Sequence, residues 1–537
     1  MAEISVKNVI LEWLFGSAIN FAKIGDWWRT IRALYIVPIV RVSLYICLVM
    51  STMLLLEWFY IGAVFIYVKL FRRTPQKRYK WEPFGEDSET ANADFPMVLV
   101  QIPLFNEKEV YKLSIGAACN LSWPADRLLI QVVDGSTDIL IKDMIEKECR
   151  RWASQGVNIR HQVRETSGGF KAGALKEGLD YNYVKECVYV AVFDADFQPP
   201  PNFLLRAVPF LIHNPDLALV QARWRFVNVD ECLLTRFQEI YLDYHFTCEQ
   251  EVGSSNYAFF GFNGSGGIWK IAAINDAGGW DARTTAEDMD IAVRAALKGW
   301  KLVYVGDLEV NSELPSTFEA FRLQQHRWSC GPSNLFRKVF TDIARNKKVS
   351  IWKKCYMIYN FFFVRKILGH MCIFFSYCIV LPLTILIPEV TVPKGGAVFI
   401  PCILAAINCI FATPRSLHLV FLWILFENTM SVLLTKAVFT GLFGTRSSNE
   451  WIVTAKHGDS CTQNMTNIDS TEPHKPLFEV LRNRILLPEL GFAVFLFISG
   501  WYGFLYRKDY YFIYLLFQAI AFTVVGLGFI GKQKSGH

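Results

Sequence analysis

Long apolar runs bracket a central stretch in which hydrophobic and polar positions alternate on a much shorter scale. Residues 42–68 are long enough to cross a bilayer and carry Glu57 as their only charge. Lys69, Arg72, Arg73, Lys77, Arg78 and Lys80 follow at once, within a basic linker over 69–94. That density predicts a cytosolic position for the domain beyond it, although Lys23, Arg29, Arg32 and Arg41 upstream reduce the asymmetry. Within the first 41 residues, 11–35 mix Trp27, Trp28 and Leu34 with charges, the pattern of an amphipathic helix lying in the interface. After Arg365 and Lys366 the apolar runs return. Residues 367–387 read as a span and 397–412 as a shorter one, while 416–435, with His418 and Glu427, read as a span or an interfacial helix. A polar stretch over 444–484 intervenes, and 485–506 with 510–530 read as a closing hairpin before a short tail over 531–537. This amounts to five or six spans, with no cleavable signal peptide and no internal repeat.

Between the apolar blocks, residues 95–345 have the pattern of a soluble α/β domain, followed by an interfacial helix over 346–366. Short apolar runs at 98–100, 128–133, 189–193 and 217–220 end at polar or acidic residues, and helical patterns such as 139–152 and 172–183 lie between them. Alternating strands and helices argue for a parallel sheet. Ligands of such sheets bind at the carboxyl ends of the strands, where Asp134 and Asp194 stand.

Composition agrees with a membrane-embedded protein. Of 537 residues, 52% are hydrophobic and only 19% charged, which argues against a wholly soluble protein. The net charge of +6 is too modest to point to nucleic acid. The 13 cysteines are scattered without a C-x-x-C pair, so a zinc site or disulfide framework is not indicated.

The candidate chemistry lies in short motifs. Asp194-Ala195-Asp196 closes a strand, and two carboxylates one residue apart suit Mg2+ or Mn2+ against a diphosphate. Taken alone, such a pair is more often a solvated acidic turn. Asp134 ends another strand and offers a carboxylate to a nucleobase or ribose, while Asp138 reads as the cap of the next helix. Lys171 follows Gly168-Gly169 at a helix start, which suits a phosphate, although an ordinary glycine loop fits equally well. Asp288, with Glu287 orienting it, suits a base that deprotonates a sugar hydroxyl; the bland alternative is a pair of acids complementing a helix dipole. Gln324 and Arg327 share a helix face with Trp328 adjacent. Arg327 suits a diphosphate, Gln324 suits sugar hydroxyls, and Trp328 suits stacking on a sugar ring.

Three such motifs in this order, flanked by spans, resemble the processive family 2 glycosyltransferases of the cellulose synthase superfamily, and most closely the plant cellulose synthase-like A family. The resemblance runs from the first span onward. It is carried most specifically by Ala218-Leu219-Val220-Gln221-Ala222-Arg223-Trp224-Arg225-Phe226, Leu242-Asp243-Tyr244-His245-Phe246, Phe260-Gly261-Phe262-Asn263-Gly264 and the stretch from Gln324 to Pro332. It implies a GT-A domain, with a nucleotide-binding mixed sheet, embedded in a multi-span α-helical membrane protein. It further implies a Golgi enzyme that makes β-1,4-mannan or glucomannan for the plant cell wall from GDP-mannose, and in some cases GDP-glucose, with inversion in one displacement. Asp194 and Asp196 would hold the cation, Asp288 would be the base, and Gln324, Arg327 and Trp328 would bind the acceptor end of the growing polysaccharide. Trp451-Ile452-Val453-Thr454-Ala455-Lys456 resembles the gating loop of cellulose synthases, with Thr454 and Lys456 at the nucleotide phosphates.

If that loop faces the catalytic domain, an even number of crossings separates Arg365 from Glu450. Residues 367–387 and 397–412 would supply two, leaving 416–435 interfacial and five spans in all. The spans would form a short polymer channel lined by aromatics, with membrane lipid around them and a second copy or other synthase subunits as partners. The chain departs from the family pattern at Gly135, where a second aspartate is usual, and at Thr166-Ser167-Gly168, where an arginine is usual. The competing readings are a β-1,4-glucan synthase of the cellulose synthase-like C type and a catalytically weak scaffold for a partner synthase. Asn120, Asn263 and Asn464 begin glycosylation sequons, and a glycan on Asn263 would place its domain in the lumen.

Overall fold

The computed structural model describes residues 26–71, 73–84, 95–165, 168–395, 399–444, 485–507 and 510–532. A helix, α1 (Asp26–Leu70), enters the domain. The elements that follow are β1 (Val98–Leu104), α2 (Tyr111–Cys119), β2 (Leu128–Asp134), α3 (Ile139–Ser154), β3 (Ile159–Val163), α4 (Phe170–Leu179), β4 (Tyr189–Val192), α5 (Phe203–His213) and β5 (Leu217–Phe226). Next come α6 (Leu233–Tyr244), a π-helical turn (His245–Gln250), α7 (Glu251–Tyr257), β6 (Gly267–Lys270), α8 (Ile271–Asp276), α9 (Glu287–Lys298), β7 (Lys301–Ser312) and α10 (Phe318–Arg345). The membrane part holds α11 (Ile351–Leu386), α12 (Ile400–Phe411), α13 (Pro414–Phe443), α14 (Leu487–Tyr506) and α15 (Tyr511–Gly526).

The strands form one sheet in the order β3-β2-β1-β4-β6-β5-β7. Strands β1 to β4 pair in parallel, as do β5 and β7, but β6 runs antiparallel to both β4 and β5. The parallel sheet expected from the alternating pattern is therefore corrected to the mixed sheet that the resemblance implies. Four-residue β6 is too short to show a period of its own. The sheet interior is continuous and apolar: β4 is fully buried, and Val190, Ala191 and Val192 have no exposed surface.

Among the described residues, four helices, α1, α11, α13 and α14, are long and apolar enough to cross a membrane. The 30-residue α13 contains 416–435 and is long enough to span, one of the two readings its sequence allows. The stretch 346–366 does not form a separate interfacial helix, because Ile351 begins α11 itself. Residues 11–25 of the expected amphipathic segment lie outside the described residues, and from Asp26 the chain is one helix with the first span.

Candidate active site

The carboxyl ends of β1 and β4 open into a cavity of about 330 Å³. Its lining includes Lys171, Asp194, Asp196, Glu287, Asp288, Gln324, Arg327 and Trp328, so eight of the residues singled out in the sequence come together there. They arrive from four places. Lys171 stands in the first turn of α4, Asp194 and Asp196 follow β4, Glu287 and Asp288 begin α9, and the Gln324–Trp328 segment lies within α10.

Each is held by neighbours with a local reason to be there. Asp194 takes a salt bridge from Lys171, and its backbone N–H donates to Ser265 Oγ at 2.9 Å. Asp196 is buried; its Oδ2 accepts from Ser312 Oγ at 2.8 Å and from the Glu313 N–H at 3.4 Å. Lys171 Nζ also donates to the Gly264 carbonyl at 2.9 Å. Gly264 has φ +84, and a Cβ there would lie 3.1 Å from Asp288 Oδ2 and 3.2 Å from Lys171 Nζ. Glycine is therefore favoured twice, for the backbone conformation and for the close approach of Asp288 and Lys171. Gly331 serves close approach alone: a Cβ there would lie 2.8 Å from Thr285 Oγ1, so the small residue lets α10 seat against the segment that leads into α9.

Burial sets the electrostatics. Removal from water lifts the Asp288 carboxyl above the ordinary aspartate range, opposed by Lys171. Glu287 is lifted for the same reason and by repulsion from Asp288. Burial lowers Arg327, which Glu287, Asp194 and Asp288 partly offset, while the pull of Asp194 and Glu287 outweighs burial at Lys171 and raises it. Two acids raised towards neutrality beside two cations are suited to proton transfer next to an anion.

Behind this face α9 is anchored by Asp290, which has no exposed surface and bonds both Arg283 and Arg294 Nε, the latter at 2.9 Å. The Asn263–Gly266 turn is fixed from β5, where Gln221 Nε2 donates to the carbonyls of Ser265 and Gly266 at 3.0 and 3.1 Å and Trp224 Nε1 to Ser265 at 3.0 Å.

Asp134 departs from its expected role. Its side chain has no exposed surface; Oδ1 accepts from the Ser136 N–H at 2.8 Å and Oδ2 lies 3.1 Å from His161 Nε2. Burial alone would raise its carboxyl, but these hydrogen bonds hold it below the ordinary range. It stiffens the end of β2 and leaves Gly135 to line the cavity. Thr454 and Lys456 lie outside the described residues. Sequence reasoning gave no site role to Arg164, His245, Asn263 or Lys366, all of which line the cavity, although His245 and Asn263 stand in stretches that carry the resemblance. Arg164 follows β3, a strand whose amphipathic five residues gave no clear apolar run. It ion-pairs with Glu177 at 2.9 Å and donates to the Gly168 carbonyl at 2.7 Å. The Asn263 sequon is not open to glycosylation in this fold, since its Nδ2 is buried.

A second cavity of about 270 Å³ lies between the domain and the membrane helices. Tyr241, His245, Trp328 and Lys366 line both cavities, and Trp58, Tyr244 and Trp423 line the second.

Residues 99–265 match the family described as Glycosyl transferase family 2, and residues 189–426 match Glycosyl transferase family group 2. Glucomannan 4-beta-mannosyltransferase 2 of Arabidopsis thaliana is 60% identical over 534 residues, 99% of each chain. Glucomannan 4-beta-mannosyltransferase 1 of Oryza sativa subsp. japonica is 56% identical, covering 95% of this chain and 97% of that one. Glucomannan 4-beta-mannosyltransferase 9 of Arabidopsis thaliana is 58% identical over 94% of each. Among solved structures, a mannosyltransferase from Pyrobaculum calidifontis in complex with GDP-Man and Mn2+ aligns with a TM-score of 0.46 at 20% identity, over 74% of this chain and 100% of that one.

Proposed function

Because the chain belongs to the glucomannan 4-beta-mannosyltransferase family of the family 2 glycosyltransferases, we propose that it extends a β-1,4-mannan or glucomannan backbone from GDP-mannose, with GDP-glucose as a second donor. It is a membrane-embedded glycosyltransferase with a GT-A catalytic domain. The observation that carries the donor and acceptor reading is the convergence of Asp288, Lys171, Asp194 and Arg327 on one cavity at the strand ends.

Asp288 removes the proton from the acceptor 4-hydroxyl as that oxygen attacks the anomeric carbon of the donor sugar. The bond from that carbon to the diphosphate oxygen breaks in the same displacement, so the configuration inverts and GDP leaves. Glu287, buried beside Asp288 and itself raised towards neutrality by that burial and by Asp288, orients the base. Lys171 and Arg327 supply fixed positive charge to the departing diphosphate, worth most in a site shielded from water. Gln324 and Trp328 hold the acceptor end, by hydrogen bonds to hydroxyls and by stacking.

Asp194 and Asp196 fit a divalent cation as donors. Both offer hard carboxylate oxygens, and Asp196 is fixed by Ser312. Among the described residues no group of three His, Cys, Asp or Glu gathers to enclose a metal alone. That donor set suits Mg2+ or Mn2+, which take one or two carboxylates and fill their remaining positions with phosphate oxygens and water. The ion would neutralise charge on the diphosphate.

The second cavity, entered past Trp328 and His245, is the exit for the growing chain into the membrane helices, a multi-pass arrangement suited to the Golgi. The burial of the Asn263 amide removes the objection to a cytosolic catalytic domain. A scaffold role is disfavoured by a site that retains base, cations and carboxylate pair. Release of labelled polymer by endo-β-mannanase, after incubation of membranes bearing this chain with labelled GDP-mannose, tests the proposal.

A further inference from the structure

Glu57 is the only charge in the apolar run of the first span, and it is 3% exposed. A carboxylate at that depth is costly, so its partner is informative. Arg365, in α11, donates to it through Nε at 2.8 Å. The same Nε lies 3.7 Å from Glu249 Oε1, so one guanidinium holds two carboxylates from different elements. Glu249 Oε2 accepts from His245 Nδ1 at 2.8 Å, and His245 Nε2 lies 3.1 Å from Asn263 Oδ1. Asn263 also accepts from Gln250 Nε2 at 2.9 Å. The next residue, Gly264, carries the carbonyl that receives Lys171.

We propose that the first membrane span positions the acceptor end of the polymer, acting through a buried relay of Glu57, Arg365, Glu249 and His245. His245 is the member that meets the acceptor end, because it lines both the catalytic cavity and the membrane cavity, whereas Glu57, Arg365 and Glu249 line the membrane cavity alone. At the catalytic cavity those three act through His245 as positioning residues. Two of the three helical segments that carry the relay are wound as π-helix, His245–Gln250 and Tyr356–Leu368, while Glu57 stands in the α-helical first span. That winding re-aims side chains relative to an α-helix and recurs at functional sites. It places His245, Glu249 and Gln250 on the side facing Arg365 and Asn263. A pair that served only to stabilise the helices would not need to end on the threshold between two cavities. The relay rests on the proposed reading of the site as one that extends a polymer.

The test uses the full chain in membranes, with Glu57→Gln, Glu249→Gln, His245→Asn and the Glu57→Gln/His245→Asn double variant. The readouts are the KM for a manno-oligosaccharide acceptor, the KM for GDP-mannose, product length and thermal stability. Glu57→Gln keeps the shape and removes the charge that holds Arg365. It is expected to raise the acceptor KM about tenfold and shorten the product, with the GDP-mannose KM unchanged. The double variant is expected to add nothing to His245→Asn, since the two act in series. If Glu57→Gln does not fold, Glu249→Gln carries the same expectation from outside the span. Folded variants with wild-type acceptor KM and product length overturn the relay, as does strict additivity in the double variant. Wild-type membranes that incorporate no mannose refute the proposed function instead, and the relay's polymer with it.

Discussion

Replacing Gly264 by alanine separates the geometry of the base from the general stability of the fold. The new Cβ would sit 3.1 Å from Asp288 Oδ2 and 3.2 Å from Lys171 Nζ, about 0.3 Å inside ordinary contact. A 1 Å error in a reacting group can cost about a hundredfold, so 0.3 Å corresponds to roughly fourfold in kcat, and displacement of Lys171 as well takes it towards about tenfold. The backbone contributes separately, since φ +84 costs an L-residue about 1–2 kcal/mol. Gly156 supplies the matched control: its φ is +90 and a Cβ there meets nothing within 4 Å. Gly156→Ala is therefore expected to lose similar stability while keeping wild-type turnover. The assay is mannose incorporation by membranes normalised to folded protein, alongside a thermal melt of each variant. Equal kcat in Gly264→Ala and wild type would refute the close-approach argument, as would an equal loss of kcat in Gly156→Ala.

Activity is expected to fall as the pH drops through the raised Asp288 value, above the range of an ordinary aspartate, because the base works only when ionised. In that window the folded state holds more protons on Asp288 and Glu287 than the unfolded chain, so acidification favours folding through these groups while it inactivates. A kcat/KM profile measured beside a melt at each pH checks that the two move in opposite directions. Chelation of divalent cations is expected to abolish incorporation, Mg2+ or Mn2+ to restore it, and Asp196→Asn to prevent the restoration; equilibrium binding of GDP with and without metal gives an independent readout. Asp290→Ala strands Arg283 and Arg294 beside each other and is expected to cost about 3 kcal/mol of stability, read as a lowered melting temperature.

Much of the site was legible because its chemistry is written in short local patterns. The acidic pair after β4 and the acids that begin α9 admit a bland reading alone; with the glutamine–arginine–tryptophan face of α10 they were picked out by their order along the chain and the resemblance it carries, and the fold brings them to one cavity. Strands β1, β2, β4 and β5 were readable as apolar runs. Strand β6, with four residues, and β3, with an amphipathic five, offered too little pattern, and with β6 went the antiparallel strand that makes the sheet mixed. Asp134 misled because its strand-end position is right while its side chain is consumed by Ser136 and His161, a tertiary contact no spacing reveals. The relay from Glu57 to His245 was equally hidden. The lone charge in the span was visible, but its partner stands 308 positions away and appears only when α1 and α11 pack.

The central claim is that this cavity extends a mannan with Asp288 as base. Its most direct test is incorporation of labelled GDP-mannose into polymer released by endo-β-mannanase, comparing wild type with Asp288→Asn at matched folded protein. The account predicts incorporation by wild type and its loss in Asp288→Asn with GDP binding intact. Undiminished incorporation by Asp288→Asn, or none by a folded wild type, would contradict it.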